Sequence, residues 1–432
     1  MRRAAVVGGG LGIFAVLVAG PAHAQQVQEV TLQDAVRRSL QVQPAMIQAQ
    51  GDQRNAGASN RSAFGAFLPS LSTSASAVRS NVQRIDPTTG QPVPPEYSYT
   101  GGLSVSLELF DGFRRFANLK AASQTGNAAD AGVVNQQFQI TLATKQAFYA
   151  AIANEELVRV AESQLQRARQ QLQISIDKLH AGSATRSDSL RSTVDYGNAR
   201  IALLQAQADL ATAQANLGRQ IGADGLVRAI PDTTLPTMPD TADLRRGAIA
   251  GAPAVQQADA QASAARAVVW STRSQYWPSL VVSYTNNRQG IGSPNLPLFS
   301  TYPETFSWRF GLSWTIFNGF TREANQVSAS VNRDIAEARA ADTRRFVSAQ
   351  LTQQMAALAT AFAQISIAQD NLNAATEDLR VQNERYRVGA ATILDLLTSQ
   401  AALTQAQVNV VQTRFNYLIA RAQVEAVVGR TL

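Results

Sequence analysis

The sequence predicts a mostly α-helical fold that carries a small number of membrane-crossing β-strands and contains an internal duplication. Three observations support this prediction: one strand–turn–helix pattern occurs twice, each copy continues into a long proline-free stretch, and aromatic side chains border the alternating strands. Because an α-helix rises 1.5 Å per residue, a proline-free run of about 65 residues would form a helix roughly 100 Å long. Such an element is far too long for an ordinary globular domain.

The duplication keeps a constant spacing along most of the chain. Gly112 and Gly319 follow the two predicted strands and lie 207 positions apart, and the same spacing separates Gly182 from Gly389. A period of this length indicates a duplicated module and not an array of short repeats. We therefore expect a first repeat at residues 25–230, a proline-rich linker at 231–240 and a second repeat at 241–432.

The N-terminal segment has the features of a secretory signal peptide at residues 1–24. Arg2 and Arg3 precede an apolar stretch, and Ala22-His23-Ala24 has the small-residue pattern of a cleavage site. No later segment approaches about 18 uninterrupted apolar residues, so any later membrane crossing is predicted to use strands.

Composition excludes several classes of function. The 432 residues include no cysteine, which excludes disulfides, thiolate metal sites and a lipid anchor on an N-terminal cysteine. The formal net charge is +7, but no dense basic cluster is interleaved with aromatic residues, so no nucleic-acid partner is expected. The sequence offers no plausible set of metal ligands, and we expect no cofactor.

The residue inventory also predicts that the protein is not an enzyme. His180 is the only histidine after the signal peptide, and His180, Ser183 and Asp188 could be drawn as a hydrolase triad. Their closeness in sequence at a helix end, without a strained nucleophile turn, argues against this arrangement. A histidine near a helix C-terminus is an ordinary feature of helices.

The second strand of each repeat alternates most clearly between apolar residues and polar or small residues. The apolar positions are Leu103, Val105, Leu107 and Leu109 in the first repeat and Phe310, Leu312, Trp314 and Ile316 in the second. Strands of this length, with aromatic clusters at both ends, are typical of a membrane-spanning β-barrel. Soluble hairpins packed on a core would also alternate in this way.

Four strands are too few to close a membrane barrel, because the smallest spanning barrels use about eight. An open sheet edge in lipid would leave backbone N–H and C=O groups without hydrogen-bond partners. If this sheet crosses a membrane, two or more protomers must therefore combine their strands.

The long helices carry a seven-residue repeat of mainly apolar positions. In the second repeat these positions are Leu351, Leu358, Ile365, Leu372, Leu379 and Tyr386. A strict seven-residue repeat predicts a left-handed supercoil. After each glycine turn a helix of about half the length returns, at residues 187–220 and 394–428. Short helices predicted at 31–66 and 241–275 could fill the missing length by stacking end to end on the return helices.

Two helical hairpins rooted in pairs of membrane strands resemble the TolC family of outer-membrane efflux and type I secretion ducts. The residues that carry the resemblance are the segment 386–397, the segment 414–419, and the turns Leu109-Phe110-Asp111-Gly112 and Ile316-Phe317-Asn318-Gly319. The resemblance implies a homotrimer in the outer membrane whose pooled twelve strands form one barrel, continuous with a coiled-coil helical tunnel in the periplasm. It also implies a periplasmic adaptor and an inner-membrane ABC, RND or similar transporter as partners.

The resemblance assigns roles to residues at the helix tips. It implies a bond between Tyr386 and Asp188 that latches neighbouring coils at the periplasmic entrance, and it places Asp395 on the lining of that entrance. Thr398 takes the position of a second acidic residue, and Ala391 takes that of an arginine used for a second latch. The tip turns expected to contact an adaptor are Gly182, Ser183, Gly389 and Ala390.

Two alternatives remain open from the sequence. Asp188 and Asp395 could simply be helix-start carboxylates that complement the helix dipole after a glycine turn. The whole protein could also be a periplasmic coiled-coil scaffold or adaptor with soluble hairpins and no pore. The exported substrate, which the resemblance leaves as proteins or small molecules such as drugs, is not determined by the sequence.

Overall fold

The computed structural model of this protein describes residues 28–79, 81, 84–85, 88–93, 97–231, 235–239, 247–292 and 303–432. The predicted signal peptide at 1–24 lies outside these residues, and the predicted linker at 231–240 is described only in part. No helix within the described ranges has the length and apolar character needed to cross a membrane.

The described elements follow the same plan in both halves of the chain. The first half contains β1 Gln28–Val30, α1 Leu32–Val42, α2 Pro44–Gly65, β2 Ser70–Arg79, β3 Arg84–Ile85, β4 Pro92–Val93, β5 Tyr97–Phe110, α3 Arg114–His180, α4 Arg186–Ile221 and β6 Val227–Ala229. The second half contains α5 Ala248–Gly251, α6 Pro253–Arg273, a 3-10 turn Ser274–Tyr276, β7 Ser279–Gly292, β8 Glu304–Ser313, α7 Thr321–Arg387 and α8 Ile393–Val428.

The long helices and the return helices predicted from the proline-free runs are confirmed. Helices α3 and α7 each contain 67 residues, and α4 and α8 each contain 36. At 1.5 Å per residue, α3 and α7 are each about 100 Å long. The heptad positions Leu351, Leu358, Leu379 and Tyr386 are at most 9% exposed. The other two positions, Ile365 and Leu372, are half-buried, so the seam is buried at four of its six predicted positions.

Four strands form one antiparallel sheet in the order β2-β5-β7-β8, in which β5 and β7 join the hairpins of the two repeats. One row across the strands is apolar and consists of Leu71, Val105, Tyr284 and Trp308. The next row lies on the opposite face and consists of Ser72, Ser104, Thr285 and Ser307. Two pairs of hydroxyl oxygens in this row are 2.6 and 2.8 Å apart. The sheet therefore has one apolar and one polar face, as the alternation predicts.

The apolar face is open to its surroundings in a single chain. Leu103, Phe310 and Leu312 are between 41% and 73% exposed. Val105 and Leu107 are half-buried. An apolar sheet face of this size requires a covering layer of lipid or protein.

The second strand of the second repeat is shorter than predicted, so the prediction for its C-terminal end is wrong. β8 stops at Ser313, so Trp314 and Ile316 lie outside the sheet. Ser313 pairs with Ser279, the first residue of β7, and beyond this pair the neighbouring strand offers no ladder partner. The Trp314 indole instead donates a hydrogen bond to the backbone oxygen of Tyr276 at 3.2 Å. Alternation continues in the sequence, but the partner strand does not.

Each long strand passes into its long helix through two successive residues with positive φ. These residues are Gly112 with Phe113 and Gly319 with Phe320, and their φ angles lie between 63° and 66°. Gly112 is also confined, because an added Cβ would lie 2.7 Å from the backbone oxygen of Ser274. The Asp-Gly and Asn-Gly pairs of the sequence therefore mark turns with the same backbone conformation in both repeats.

One arginine in the first helical turn ties each strand end to its helix. Arg322 donates hydrogen bonds to the backbone oxygens of Thr315 and Ile316, both at 2.8 Å. Arg115, which lies 207 positions earlier, donates to the backbone oxygen of Leu109 at 3.3 Å. Because the sheet no longer supplies partners to these oxygens, the arginines satisfy groups that would otherwise lack them.

The return helices end where the short helices begin, which confirms the predicted end-to-end stacking. Gly222 caps α4 with φ of 71°, and an added Cβ there would lie 2.9 Å from the side chain of Val42 at the end of α1. Gly429 caps α8 in the same way, and its added Cβ would lie 2.5 Å from Pro253 at the start of α6. Each of these two positions therefore requires glycine for two reasons: the left-handed backbone conformation and the close approach of a neighbouring side chain.

Removing the Arg322 side chain should destabilise the junction between β8 and α7. Arg322 is 8% exposed, and Arg322→Ala leaves two carbonyl oxygens without their charged donor. We expect a loss of stability on the order of 2–4 kcal/mol. Thermal unfolding of the detergent-purified protein, followed by circular dichroism, measures this loss as a lower midpoint.

Arg333→Ala is the matched control, because Arg333 lies on the same helix and its side chain bonds to the adjacent Asp334 at the surface. Its midpoint should stay close to that of the unmodified protein. Equal midpoints for the two variants would contradict the role given to Arg322.

Candidate functional site: the helix tips

The helical hairpins α3–α4 and α7–α8 end in turns of the same design. The amides of Ser183 and Ala390 donate to carbonyl oxygens five residues earlier, at 2.9 and 2.7 Å. Gly182 and Gly389 have φ angles of 71° and 79°, which completes a Schellman-type helix end. All four residues are exposed, so both turns are open to contact with another molecule.

Asp188 and Asp395 cap the starts of the return helices. The amide and the hydroxyl of Thr392 donate to Oδ2 of Asp395 at 2.9 and 2.8 Å, and the Asp395 amide donates to the Thr392 hydroxyl oxygen at 3.3 Å. Thr185 and Asp188 form the same capping box. The helix-start interpretation is therefore confirmed for both aspartates.

The capping box also fixes the charge of Asp395. The backbone and side-chain hydrogen bonds from Thr392 lower the pKa of the Asp395 carboxyl, because they favour its ionised form. Asp395 is exposed at the tip and is therefore a negative charge at neutral pH in a fixed orientation. Thr398, one turn further along α8, is also exposed, and its hydroxyl donates to the backbone oxygen of Leu394 at 2.8 Å.

Tyr386 is held against the first hairpin by Lys178, a residue that the sequence analysis missed. Lys178 Nζ donates to the backbone oxygen of Tyr386 at 2.7 Å and lies 3.8 Å from the centre of its ring. A cation over an aromatic face is an attractive contact, and it is stronger when partly desolvated. Comparison of the repeats offered a signal, because Lys178 corresponds to Arg385, the neighbour of Tyr386.

Within the described chain, Tyr386 and Asp188 do not form a hydrogen bond with each other. The Asp188 carboxylate accepts its bonds from Thr185, and the Tyr386 side chain is 9% exposed within an apolar cluster. Ala391, at the position where the TolC resemblance implies an arginine, packs against the same cluster. One chain thus brings Tyr386 together with Lys178, and the implied latch to Asp188 stays a prediction for the assembled protein.

A buried polar layer lies about two to three helical turns above each tip. The hydroxyl oxygens of Ser175 and Ser192 are 2.8 Å apart, and the Gln171 amide nitrogen donates to Ser175 at 3.2 Å. In the second hairpin, Ser399 donates to the carboxylate of Asp378 at the corresponding level. Paired polar groups inside a helical hairpin fix its register, because a shift would leave them without partners.

The residues that could be drawn as a hydrolase triad are not assembled. The Ser183 hydroxyl donates to the backbone oxygen of Lys178 at 3.1 Å, and Asp188 is engaged by Thr185. In the part of the chain that the structure describes, no group of three or more His, Cys, Asp or Glu side chains is placed to hold a metal ion.

Comparisons with known proteins agree with this architecture. The family model for outer membrane efflux proteins matches residues 35–223 and 244–430. The probable efflux pump outer membrane protein TtgC of Pseudomonas putida is 23% identical over 369 residues, which cover 84% of this chain and 75% of TtgC. The alkaline protease secretion protein AprF of Pseudomonas aeruginosa is 22% identical over 343 residues, which cover 77% of this chain and 70% of AprF.

The fold is also that of a solved outer membrane protein. The crystal structure of VceC from Vibrio cholerae matches 93% of this chain and 96% of VceC with a TM-score of 0.80 at 18% identity. The family match covers both repeats, and family members are transport channels and not enzymes. This chain therefore belongs to the outer membrane efflux protein family of TolC-type channels, and it is an outer-membrane channel whose helical part lies in the periplasm.

Proposed function

We propose that this protein is the homotrimeric outer-membrane duct of an export system. Each chain contributes its four strands to one 12-stranded barrel and its long helices to a supercoiled periplasmic tunnel. A periplasmic adaptor recruits the duct, and an inner-membrane ABC, RND or similar transporter supplies the energy. Residues 1–24 direct export of the chain, and the repeats at 25–230 and 241–432, joined by the linker at 231–240, give each protomer two similar halves.

The observation that carries this proposal is a two-faced sheet with two open edges. Among the described strands, β2 and β8 each pair on one side only, so each presents unpaired backbone groups on the other. Pairing β8 of one chain with β2 of the next would satisfy these groups in lipid. Because the two edges differ, this contact is heterologous, and repeating it by rotation closes a ring.

The helices have matching open edges. Helix α3 packs against α2, α4, α6 and α8. Helices α2 and α4 lie on one side of the protomer, and α7 lies on the opposite side. Exposed apolar residues mark both sides. Those on α4 are Leu190, Val194, Ile201 and Leu204, and those on α7 include Val327, Val331, Phe346 and Ile367. Contact between α2 and α4 of one chain and α7 of the next would bury both stripes when the sheet edges pair.

The proposed narrow end of the tunnel is formed by the helix tips. Asp395 gives one carboxylate per chain at this entrance, and Thr398 adds a hydroxyl where a second acidic residue would stand. A ring of carboxylates favours cations over anions. The exposed turns at Gly182, Ser183, Gly389 and Ala390 are the proposed contacts for the adaptor.

The relatives support two kinds of exported substrate. TtgC is described as an efflux pump component, and AprF is described as a protein for alkaline protease secretion. We propose efflux of small molecules, type I secretion of proteins, or both, for this chain. Substrate choice then depends on the transporter and adaptor that engage it.

The first experiment is a conductance measurement on the detergent-extracted protein in a planar lipid bilayer. A duct should insert and produce discrete channels. A protein that is soluble in buffer without detergent and forms no channels would instead be a periplasmic scaffold, and this result would refute the proposal.

Neutralising Asp395 should relieve block of the channel by divalent cations. Asp395→Asn removes the charge but keeps an oxygen that can accept from Thr392, so the helix cap is largely retained. We expect a clear loss of Mg²⁺ block in single-channel recordings. Because the capping bonds lower the Asp395 pKa, the carboxylate stays ionised as the pH falls, and block by the unmodified protein should persist down to the usual aspartate pKa of about 3.9.

Asp209→Asn is the control for this measurement, because Asp209 is an exposed carboxylate on α4, away from the tip. It should leave Mg²⁺ block unchanged. Equal Mg²⁺ block of the Asp395→Asn channel and the unmodified channel would show that Asp395 does not line the entrance.

Loss of the proposed latch should widen the tip. Tyr386→Phe combined with Asp188→Ala removes both partners, and we expect a larger single-channel conductance than that of the unmodified protein. Thr185→Ala is the control, because it removes the hydroxyl bonds of the capping box but keeps the Asp188 carboxylate and its bond from the backbone amide of residue 185. If Thr185→Ala widens the channel as much as the double variant, the effect comes from the helix cap and the latch is absent.

A further inference from the structure

An aromatic groove lies where α3 and α6 meet the sheet. Its volume is about 470 Å³, and its walls are formed mainly by Phe113 and Phe116 from the start of α3 and by Trp270 and Trp277 around the end of α6. The two phenylalanines are 60% and 63% exposed, and the two tryptophans are 61% and 65% exposed. The mechanism of the duct gives this groove no role.

The groove opens on the same side as the apolar face of the sheet. Phe110 pairs with Leu280, whose neighbour Leu312 is on the apolar face. The ring of Phe110 lies 5.5 Å from that of Phe113, which in turn lies 6.3 Å from that of Phe116. Continuous ring contacts therefore extend the apolar face of the sheet down to the groove. In an outer-membrane channel this level is the periplasmic leaflet.

A second copy of the chain would not cover the groove. The groove lies between α3 and α6, which pack against each other within one protomer. The open edges of the protomer are formed by α2 and α4 on one side and by α7 on the other. Exposure of the groove in the single chain is therefore retained in a ring of copies.

Two cations border the groove, and one of them, Lys120, lies at the end away from the sheet. Lys120 is seven residues beyond Phe113, or about 10 Å along α3. Arg273 is one turn before Trp277, and its guanidinium lies 5.4 Å from the ring centre of Trp270. Both side chains are exposed, and neither forms an ion pair with any described residue.

The corresponding junction of the other repeat lacks both charges. Val327 stands where the first repeat has Lys120, and Phe64 stands at the position that corresponds to Arg273. That junction would lie between neighbouring chains. The cations are thus found only at the junction whose groove stays open.

We propose that this groove binds one anionic phospholipid of the periplasmic leaflet per chain. The acyl chains lie along Phe113, Phe116 and the indoles, next to the apolar sheet face. The phosphate lies between Lys120 and the Arg273 guanidinium, which borders the Trp270 ring. With the aromatic walls beside the apolar sheet face and Lys120 on the periplasmic side, the groove has the polarity of a phospholipid in this leaflet, and the bound lipid anchors the junction of barrel and tunnel.

Native mass spectrometry of the full-length, detergent-purified protein tests this site. The protein is incubated with phosphatidylglycerol or with phosphatidylcholine, and retained lipid is counted per chain. We expect the protein to retain roughly tenfold more phosphatidylglycerol than phosphatidylcholine, because two cations lie near the phosphate of the bound lipid. Lys120→Gln combined with Arg273→Gln should abolish this preference and leave the oligomer intact.

Arg54→Gln combined with Arg61→Gln is the matched control, because both arginines are exposed on the neighbouring helix α2, outside the groove. It makes the same change of charge and should keep the preference for phosphatidylglycerol. Equal retention of the two lipids by the unmodified protein, or an unchanged preference in the Lys120 and Arg273 variant, would overturn the proposal. Displacement of the bound lipid by millimolar inorganic phosphate would also overturn it, because it would identify a site for free anions.

Discussion

The unpaired backbone groups of β2 and β8 are the constraint on which the rest of this architecture depends. Each edge strand pairs with only one other strand in the part of the chain that the structure describes. Unsatisfied N–H and C=O groups in hydrocarbon cost several kcal/mol each. This cost is the reason for proposing that several chains share one barrel. In the proposed assembly the helical wall must obey the same symmetry as the sheet, because α3 follows β5 and α7 follows β8 through turns with the same backbone angles. In the proposed trimer, one rotation axis has to close both the barrel and the tunnel.

The junction between sheet and helices is where this requirement is most demanding. Two successive residues with positive φ redirect the chain, and Arg115 and Arg322 then bind carbonyl oxygens that the ladder has released. The guanidinium of Arg322 also lies 4.7 Å from the ring centre of Tyr276, which connects the junction to the hairpin partner. Arginines in these positions satisfy the backbone and add rigidity, so that the direction of each helix follows from the direction of its strand.

The features that the sequence could predict are those that depend on local pattern. The absence of proline predicts α3 and α7, and the threonine and aspartate three residues apart at 185–188 and 392–395 are a capping pattern. The end of β8 depends instead on where β7 begins, so alternation through Trp314 and Ile316 was misleading. The contact of Lys178 with Tyr386 joins two hairpins over 208 positions, and no local pattern could reveal it. The arginine bonds at the junctions likewise depend on which carbonyl oxygens the sheet leaves free.

The tips combine two opposing effects in one pair of hairpins. The capping box fixes the Asp395 carboxylate to the start of α8, so the charge must move with that hairpin. In the proposed trimer three such charges repel one another across the entrance, and this repulsion decreases when the α7–α8 hairpins move outward. The contact between Lys178 and Tyr386 resists that movement, because it ties α7 to the neighbouring α3–α4 hairpin. In the proposed duct, which lacks an arginine at Ala391, the first hairpin thus still directs a cation at this tyrosine, and we propose that this contact opposes opening of the tip.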